Sequence, residues 1–215
     1  MNFLIRVPLN TSPEQHARLC ELRAVFARVC NELAPQVQQS RVWNRVALHH
    51  LHYRSLRAKF PELGSQMVCN AIYAVSKMSR LIYQAAASPY NVSRLPGKPL
   101  PLLKFADSCP VYFDRHTLSI KPGQLSLFTM DGRMRFELQL DGDKLALFEQ
   151  VKLREIVLNE RLDKTFELSF FLMSADSPDG AEGADGDVSD EALGDAAAAP
   201  ESSIPEYVSV EVAPT

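Results

Sequence analysis

Apolar positions along this chain recur first at helical spacing and then at alternate residues, and the change of period divides it. Phe3-Leu4-Ile5-Arg6-Val7 is a short apolar run that stops at Pro8, which predicts a buried strand. Thr11-Ser12-Pro13-Glu14 then supplies a capping hydroxyl, a proline for the first turn and a carboxylate three residues on. Leu19, Leu22, Phe26, Val29 and Leu33 follow at helical spacing, predicting a first helix that ends near Pro35. A second helix is expected over 42–59, stopping before Phe60-Pro61 because a residue ahead of proline is pushed out of helical geometry. Its Trp43, Val46, Leu48, Leu51, Tyr53 and Leu56 wrap most of the circumference, the pattern of a helix contacted on more than one side. The third, over 65–87, is the cleanest, with Val68, Ala71, Ile72, Val75, Met78 and Ile82 in one stripe.

Prolines at 89, 96, 99 and 101 mark a connector, after which the period becomes two. Segments 117–121 and 124–129 flank Pro122-Gly123, and 133–140 follows Asp131-Gly132, a strong hairpin signal. In that last segment Met134, Phe136, Leu138 and Leu140 alternate with Arg133, Arg135, Glu137 and Gln139, so one face is core and the other wet. Segments 153–158 and 165–172 bracket the polar turn Asn159–Asp163. The expected fold class is α+β: a small antiparallel β-barrel of OB-like type with a three-helix domain inserted after its first strand. The expected organisation is a first barrel strand (1–10), a helical insert (11–87), a proline-rich connector (88–110) and barrel strands (111–173). Residues 174–203 are Asp, Glu, Gly, Ala, Ser and Pro with almost no large apolar group, which predicts a disordered acidic tail. Segment 204–215 holds one residual strand, Tyr207–Val212, with nothing after it to pair with.

Charge changes this picture more than composition does. The formal net charge is only −3, yet residues 1–104 carry 14 basic and 4 acidic side chains, whereas residues 173–215 carry 11 carboxylates and no base. A strongly basic lobe predicts a polyanionic partner, because Lys and Arg that neutralise phosphates release condensed counterions. An acidic surface or a membrane could use the same charge. With 46% apolar residues, no long apolar run and no basic-then-apolar leader, a soluble cytoplasmic protein without a membrane segment is expected. Cys20, Cys30, Cys69 and Cys109 form no CxxC pair, which argues against a zinc module or disulfide framework and fits small core residues in a reducing compartment.

Two helices carry the candidate contacts. Around the second lie Arg41, Arg45, Arg54, Arg57 and Lys59, with His49, His50 and His52. On the third, Gln66, Asn70, Tyr73, Lys77 and Arg80 are spaced by 4, 3, 4 and 3, so they line up on the side away from the apolar stripe. Gln and Asn can read adenine, and Lys and Arg can hold guanine or phosphate; a solvated helix face is the plainer reading.

The pieces, taken in order, resemble the N-terminal half of the TnpB (OrfB) family of transposon-encoded RNA-guided nucleases over about residues 3–173. The resemblance rests on the opening strand with Thr11-Ser12-Pro13-Glu14-Gln15, on Phe26 to Asn31, and on Leu51-His52-Tyr53-Arg54-Ser55-Leu56-Arg57-Ala58-Lys59-Phe60-Pro61-Glu62-Leu63. It continues through Gly64-Ser65-Gln66-Met67-Val68-Cys69-Asn70-Ala71-Ile72, Tyr112-Phe113-Asp114-Arg115-His116-Thr117-Leu118-Ser119 and Ser126-Leu127-Phe128-Thr129-Met130-Asp131-Gly132-Arg133. It implies a split wedge barrel with an inserted recognition domain, together holding a guide RNA and the duplex beside a short motif. Gln66, Asn70 and Lys77 would then approach the duplex, and Arg133 and Arg135 would be RNA-backbone contacts. In the family a RuvC-like nuclease domain follows. Here Val208-Ser209-Val210-Glu211-Val212-Ala213 resembles its opening strand, with Glu211 where the first metal-binding Asp would stand and Ala213 where glycine is usual.

Phosphodiester hydrolysis of that kind needs two metal ions held by several converging carboxylates, and one glutamate cannot hold them. His49 and His52 share a helix face without a carboxylate to complete a metal site. No nucleophile elbow or phosphate-binding glycine loop occurs. The expectation is therefore a nucleic-acid-binding protein that is not an enzyme, with no cofactor, metal or small-molecule substrate. Its partners would be RNA or DNA and a separately encoded nuclease subunit. The alternatives are a truncated transposase remnant without a selected role, and an interaction module docking an acidic protein. The acidic tail serves solubility or competes for the basic groove.

Overall fold

Strand β1 (Asn2–Pro8) leads into three helices, α1 (Pro13–Ser40), α2 (Arg45–Lys59) and α3 (Ser65–Tyr83), and eight further strands follow them. These are β2 (Leu102–Phe105), β3 (Val111–Phe113), β4 (Leu118–Lys121), β5 (Gln124–Thr129), β6 (Gly132–Glu137), β7 (Lys152–Glu160), β8 (Phe166–Met173) and β9 (Val208–Glu211). The computed structural model describes residues 2–138, 142, 148, 152–173 and 204–212. The acidic segment expected to be disordered, 174–203, lies outside the described residues, as do Gln139 and Leu140 of the predicted 133–140 strand.

Local chemistry accounts for the helix ends. Ser12 Oγ accepts from the Gln15 backbone N–H and Gln15 Oε1 accepts from the Ser12 N–H, a reciprocal cap that starts α1. The helix was expected to stop near Pro35 but continues to Ser40. An interior proline costs about 3 kcal/mol, and burial of Leu33, Ala34 and Val37 on the same stretch offsets it. α1 ends where Arg41 adopts a left-handed conformation, φ 58°. α3 ends at Tyr83, short of the predicted Ala87: Ser88 Oγ donates to the Ile82 carbonyl, and the Asn91 amide donates to those of Gln84 and Ala85. α2 buries only Leu48 and Leu56, leaving Val46 and Leu51 exposed, so it is not the all-round contacted helix its pattern predicted.

Among the described residues the strands form three antiparallel sheets, β1-β8-β7-β3, β4-β5-β6 and β2-β9, none of them closed into a barrel. This corrects the barrel expectation while keeping the α+β class. β2 was not foreseen and falls in the stretch read as connector, whereas β3 opens the segment 111–173 read as strands without having been named as one. The lone C-terminal strand has a partner after all, because β9 pairs back onto β2 with Phe105 opposite Val208.

The four-stranded sheet is covered on one face and in part on the other. Ile5, Val7, Leu168, Phe170, Ile156, Leu158, Val111 and Phe113 line one buried face in register. On the other, Tyr112 and Val157 are buried where α3 docks, and Leu4 and Phe171 stay exposed farther out. One hydrophobic cluster joins helices and sheets. No helix among the described residues is long and apolar enough to cross a membrane.

Candidate nucleic-acid interface

The polar face of α3 packs on protein through Gln66, Asn70 and Tyr73, while Lys77 stays exposed. Asn70 is 5% exposed and donates to the Tyr112 carbonyl at 3.0 Å. Gln66 donates to Asp114 Oδ2 at 2.5 Å. Tyr73 donates to Glu155 Oε2 at 2.6 Å, and Lys77 Nζ reaches both oxygens of the same carboxylate at 2.7 Å. Burial, the negative charge of Glu155 and the hydrogen bond to it push the Tyr73 hydroxyl far above its usual range. Arg80 is half-buried, and desolvation pulls its pKa below the ordinary arginine value. These side chains clamp a helix to β3 and β7, though Lys77 remains partly exposed.

The cations around α2 divide similarly. Arg57 donates to the carbonyls of Phe60 and Leu63, stapling the turn after the helix. Lys59 pairs with Glu32 at 2.5 Å, and Arg41 donates to the Lys98 carbonyl. Arg45 lies over the Tyr73 ring, 5.2 Å from its centroid. Arg54 is exposed with no ion pair among the described residues. It continues the exposed four-residue steps of Val46 and His50. His49 stacks on Tyr53 at 4.7 Å, and burial, then His50 and Arg45, lower its pKa.

The open surface that combines charge and an aromatic ring is the outer face of β4-β5-β6. Pleating turns Leu118, Leu125, Leu127, Met134 and Phe136 inward. It turns Ser119, Lys121, Ser126, Phe128, Arg133 and Arg135 outward, since Ser119 stands opposite Ser126, which stands opposite Arg135, and Phe128 opposite Arg133. Phe128 is 39% exposed. The Arg133 guanidinium lies 4.3 Å from its ring centroid and is held by Ser126 Oγ at 3.0 Å and the His116 carbonyl at 3.1 Å. Arg135 and Lys121 are exposed on this face, with Arg115 exposed in the turn before β4. Glu137 is its one carboxylate.

Arg133 and Arg135 were read from the alternation of the last hairpin strand. Phe128, Ser126 and Lys121 were missed, although the out-facing positions of 124–129 in the same alternation contain two of them. Among the described residues, the group of His, Cys and carboxylate donors spaced for a metal ion lies elsewhere, at His16, Cys20 and Glu160. No protein-family model matches the chain, and no curated protein matches it.

Proposed function

We propose that the protein binds nucleic acid without catalysing a reaction on it, and that the outer face of β4-β5-β6 is the principal contact. The observation carrying this reading is Phe128 with Arg133 stacked on it, flanked on the same sheet face by exposed Arg135 and Lys121 and part-buried Ser119, with buried Ser126 beneath Arg133 holding its guanidinium. Bases stack on aromatic rings and on guanidinium planes, hydroxyls accept and donate to sugar and base edges, and flanking cations neutralise phosphates. A three-stranded sheet holds these groups in fixed register, which suits single-stranded RNA or DNA. Exposed Arg54 on α2 extends the positive surface.

The layout of one strand, three helices and then antiparallel strands supports the further proposal of kinship with the wedge and recognition part of TnpB proteins. On that reading the chain serves a transposon-linked or repurposed RNA-guided system in the cytoplasm, beside a separately encoded nuclease.

Fluorescence anisotropy with single-stranded RNA, single-stranded DNA and duplex DNA across a salt series tests this. Affinity should fall steeply with salt. Phe128→Ala should weaken single-strand binding about tenfold or more, as expected for loss of ~1–3 kcal/mol of base stacking. Arg135→Ala should reduce the salt slope by about one. Absence of binding to all three probes in dilute buffer would overturn the proposal in favour of a remnant without a selected role. Binding only to an acidic polypeptide would point to a protein-docking module.

A further inference from the structure

We propose that His16, Cys20 and Glu160 form a binding site for one zinc-type transition-metal dication, with the Lys164 carbonyl as an additional oxygen donor. His16 and Cys20 are four residues apart on α1, so they share one face of the helix. Glu160 ends β7, and Lys164 lies in the turn to β8, so the donors come from separate elements that the fold brings together. The imidazole lies between the other donors, with Nδ1 3.6 Å from Cys20 Sγ and Nε2 3.6 Å from Glu160 Oε1 and 3.1 Å from the Lys164 oxygen, so a metal takes one of its two nitrogens and the ring turns to present it. One donor atom from each of the three side chains lies within 4.8 Å of the others. Tetrahedral zinc holds such donors about 3.2–3.8 Å apart, so contraction by about 1 Å, with rotation of the imidazole, completes the set.

The surroundings fit that chemistry. Glu160 presents Oε1 to His16 while Oε2 accepts from Arg23 at 2.7 Å. A carboxylate oxygen held this way leaves the other fixed for a metal, the arrangement of an outer hydrogen-bond partner. Arg23 is itself buried and anchored by the Ser108 carbonyl at 2.7 Å. Lys164 has φ 68°, a left-handed turn that aims its carbonyl back at α1. Its ammonium stands 4.0 Å from Glu160 Oε1 on a 77% exposed side chain, so it can swing into solvent when a cation arrives. A thiolate and a carboxylate together cancel the charge of the dication. The sulfur donor selects zinc or cobalt over magnesium or calcium. Three half-buried protein ligands and a carbonyl describe a site that orders the α1 N-terminal turn against the β7–β8 turn.

The test uses the full chain freed of metal by chelation. One equivalent of Co2+ should give a thiolate-to-cobalt charge-transfer band that one equivalent of Zn2+ abolishes. Zn2+ should protect Cys20 from iodoacetamide, read by peptide mass spectrometry, and raise Tm. His16→Ala should lose the protection, Glu160→Gln should weaken Zn2+ binding about tenfold or more, and Cys69→Ser should change neither. No cobalt band and no protection in the unmodified chain would overturn the proposal, whatever the variants' folding. So would protection of Cys20 that persists in His16→Ala.

Discussion

A single side-chain amide closes the inner edge of β2. Asn31 on α1 accepts from the Phe105 N–H at 2.7 Å and donates to the Phe105 carbonyl at 2.8 Å, doing for this edge what another strand would do. Removing it leaves two backbone groups without partners next to the core, a loss of about 1–3 kcal/mol. Asn31→Ala should therefore lower the urea midpoint with an unchanged m-value, whereas Asn31→Asp, which keeps the acceptor, should lose less. A midpoint in Asn31→Ala equal to that of the unmodified protein would refute this role. Asn70 teaches the complementary lesson about reading sequence. Its place opposite the apolar stripe was legible, because helical spacing is local. What faces it was not, because the Tyr112 carbonyl lies 42 residues away and only the packed fold brings it near. Polar residues at helical spacing name a face, and long-range packing decides whether that face meets solvent, nucleic acid or protein.

α2 is the helix least tied to the rest, and its histidines make that dependence measurable. Burial lowers the pKa of His52, and burial with nearby His50 and Arg45 lowers that of His49, so the folded protein favours their neutral forms. His52 Nε2 is also buried without a hydrogen-bond partner among the described residues. As pH falls below 6.5, the ordinary histidine value, the unfolded chain takes up protons before the folded one does. Their contribution is thus fully present above that value and lost as pH falls through the lowered folded values. Thermal unfolding between about pH 7.5 and 5.5 should show declining stability, with the decline flattened in a His49→Gln, His52→Gln variant. Amides of α2 should also exchange faster than those of α3. The basic, untidy pattern of this helix was legible. Its weak burial was not, since the wrap-around of apolar residues suits a surface helix with exposed Val46 and Leu51 as well as a central one.

At the scale of the molecule, the strands that alternate cleanly were legible, β9 among them, and the short strands and the long-range pairing that close the structure were not. β5 and β6 announce themselves through alternation and a tight turn. β2 spans four residues between prolines and β3 three, too short for a period to register, and β9 pairs about a hundred residues back along the chain. Among the described residues the strands form three separate sheets rather than a barrel, with α1 packed on β2 and α3 on β3. β9 then acts as a strap over that junction. Val208 is 5% exposed, the Tyr207 carbonyl accepts from the Ala106 N–H at 2.9 Å, and the Tyr207 hydroxyl, pushed up to about 12 chiefly by burial, pairs with buried Tyr112. Truncation after residue 203 should uncover Tyr112 and the outer side of β2. The expected loss is about 2–4 kcal/mol from apolar burial and broken hydrogen bonds, a fall of roughly 5–15 °C in Tm. Glu211→Gln should cost under about 0.5 kcal/mol, since its pair with Lys104 is half in solvent on both sides. The contrast separates a strap held by its buried side from one held by surface charge. Below its melting point the truncated protein should keep the single-strand affinity carried by Phe128 and Arg135, because β9 pairs with β2 and not with β4-β5-β6.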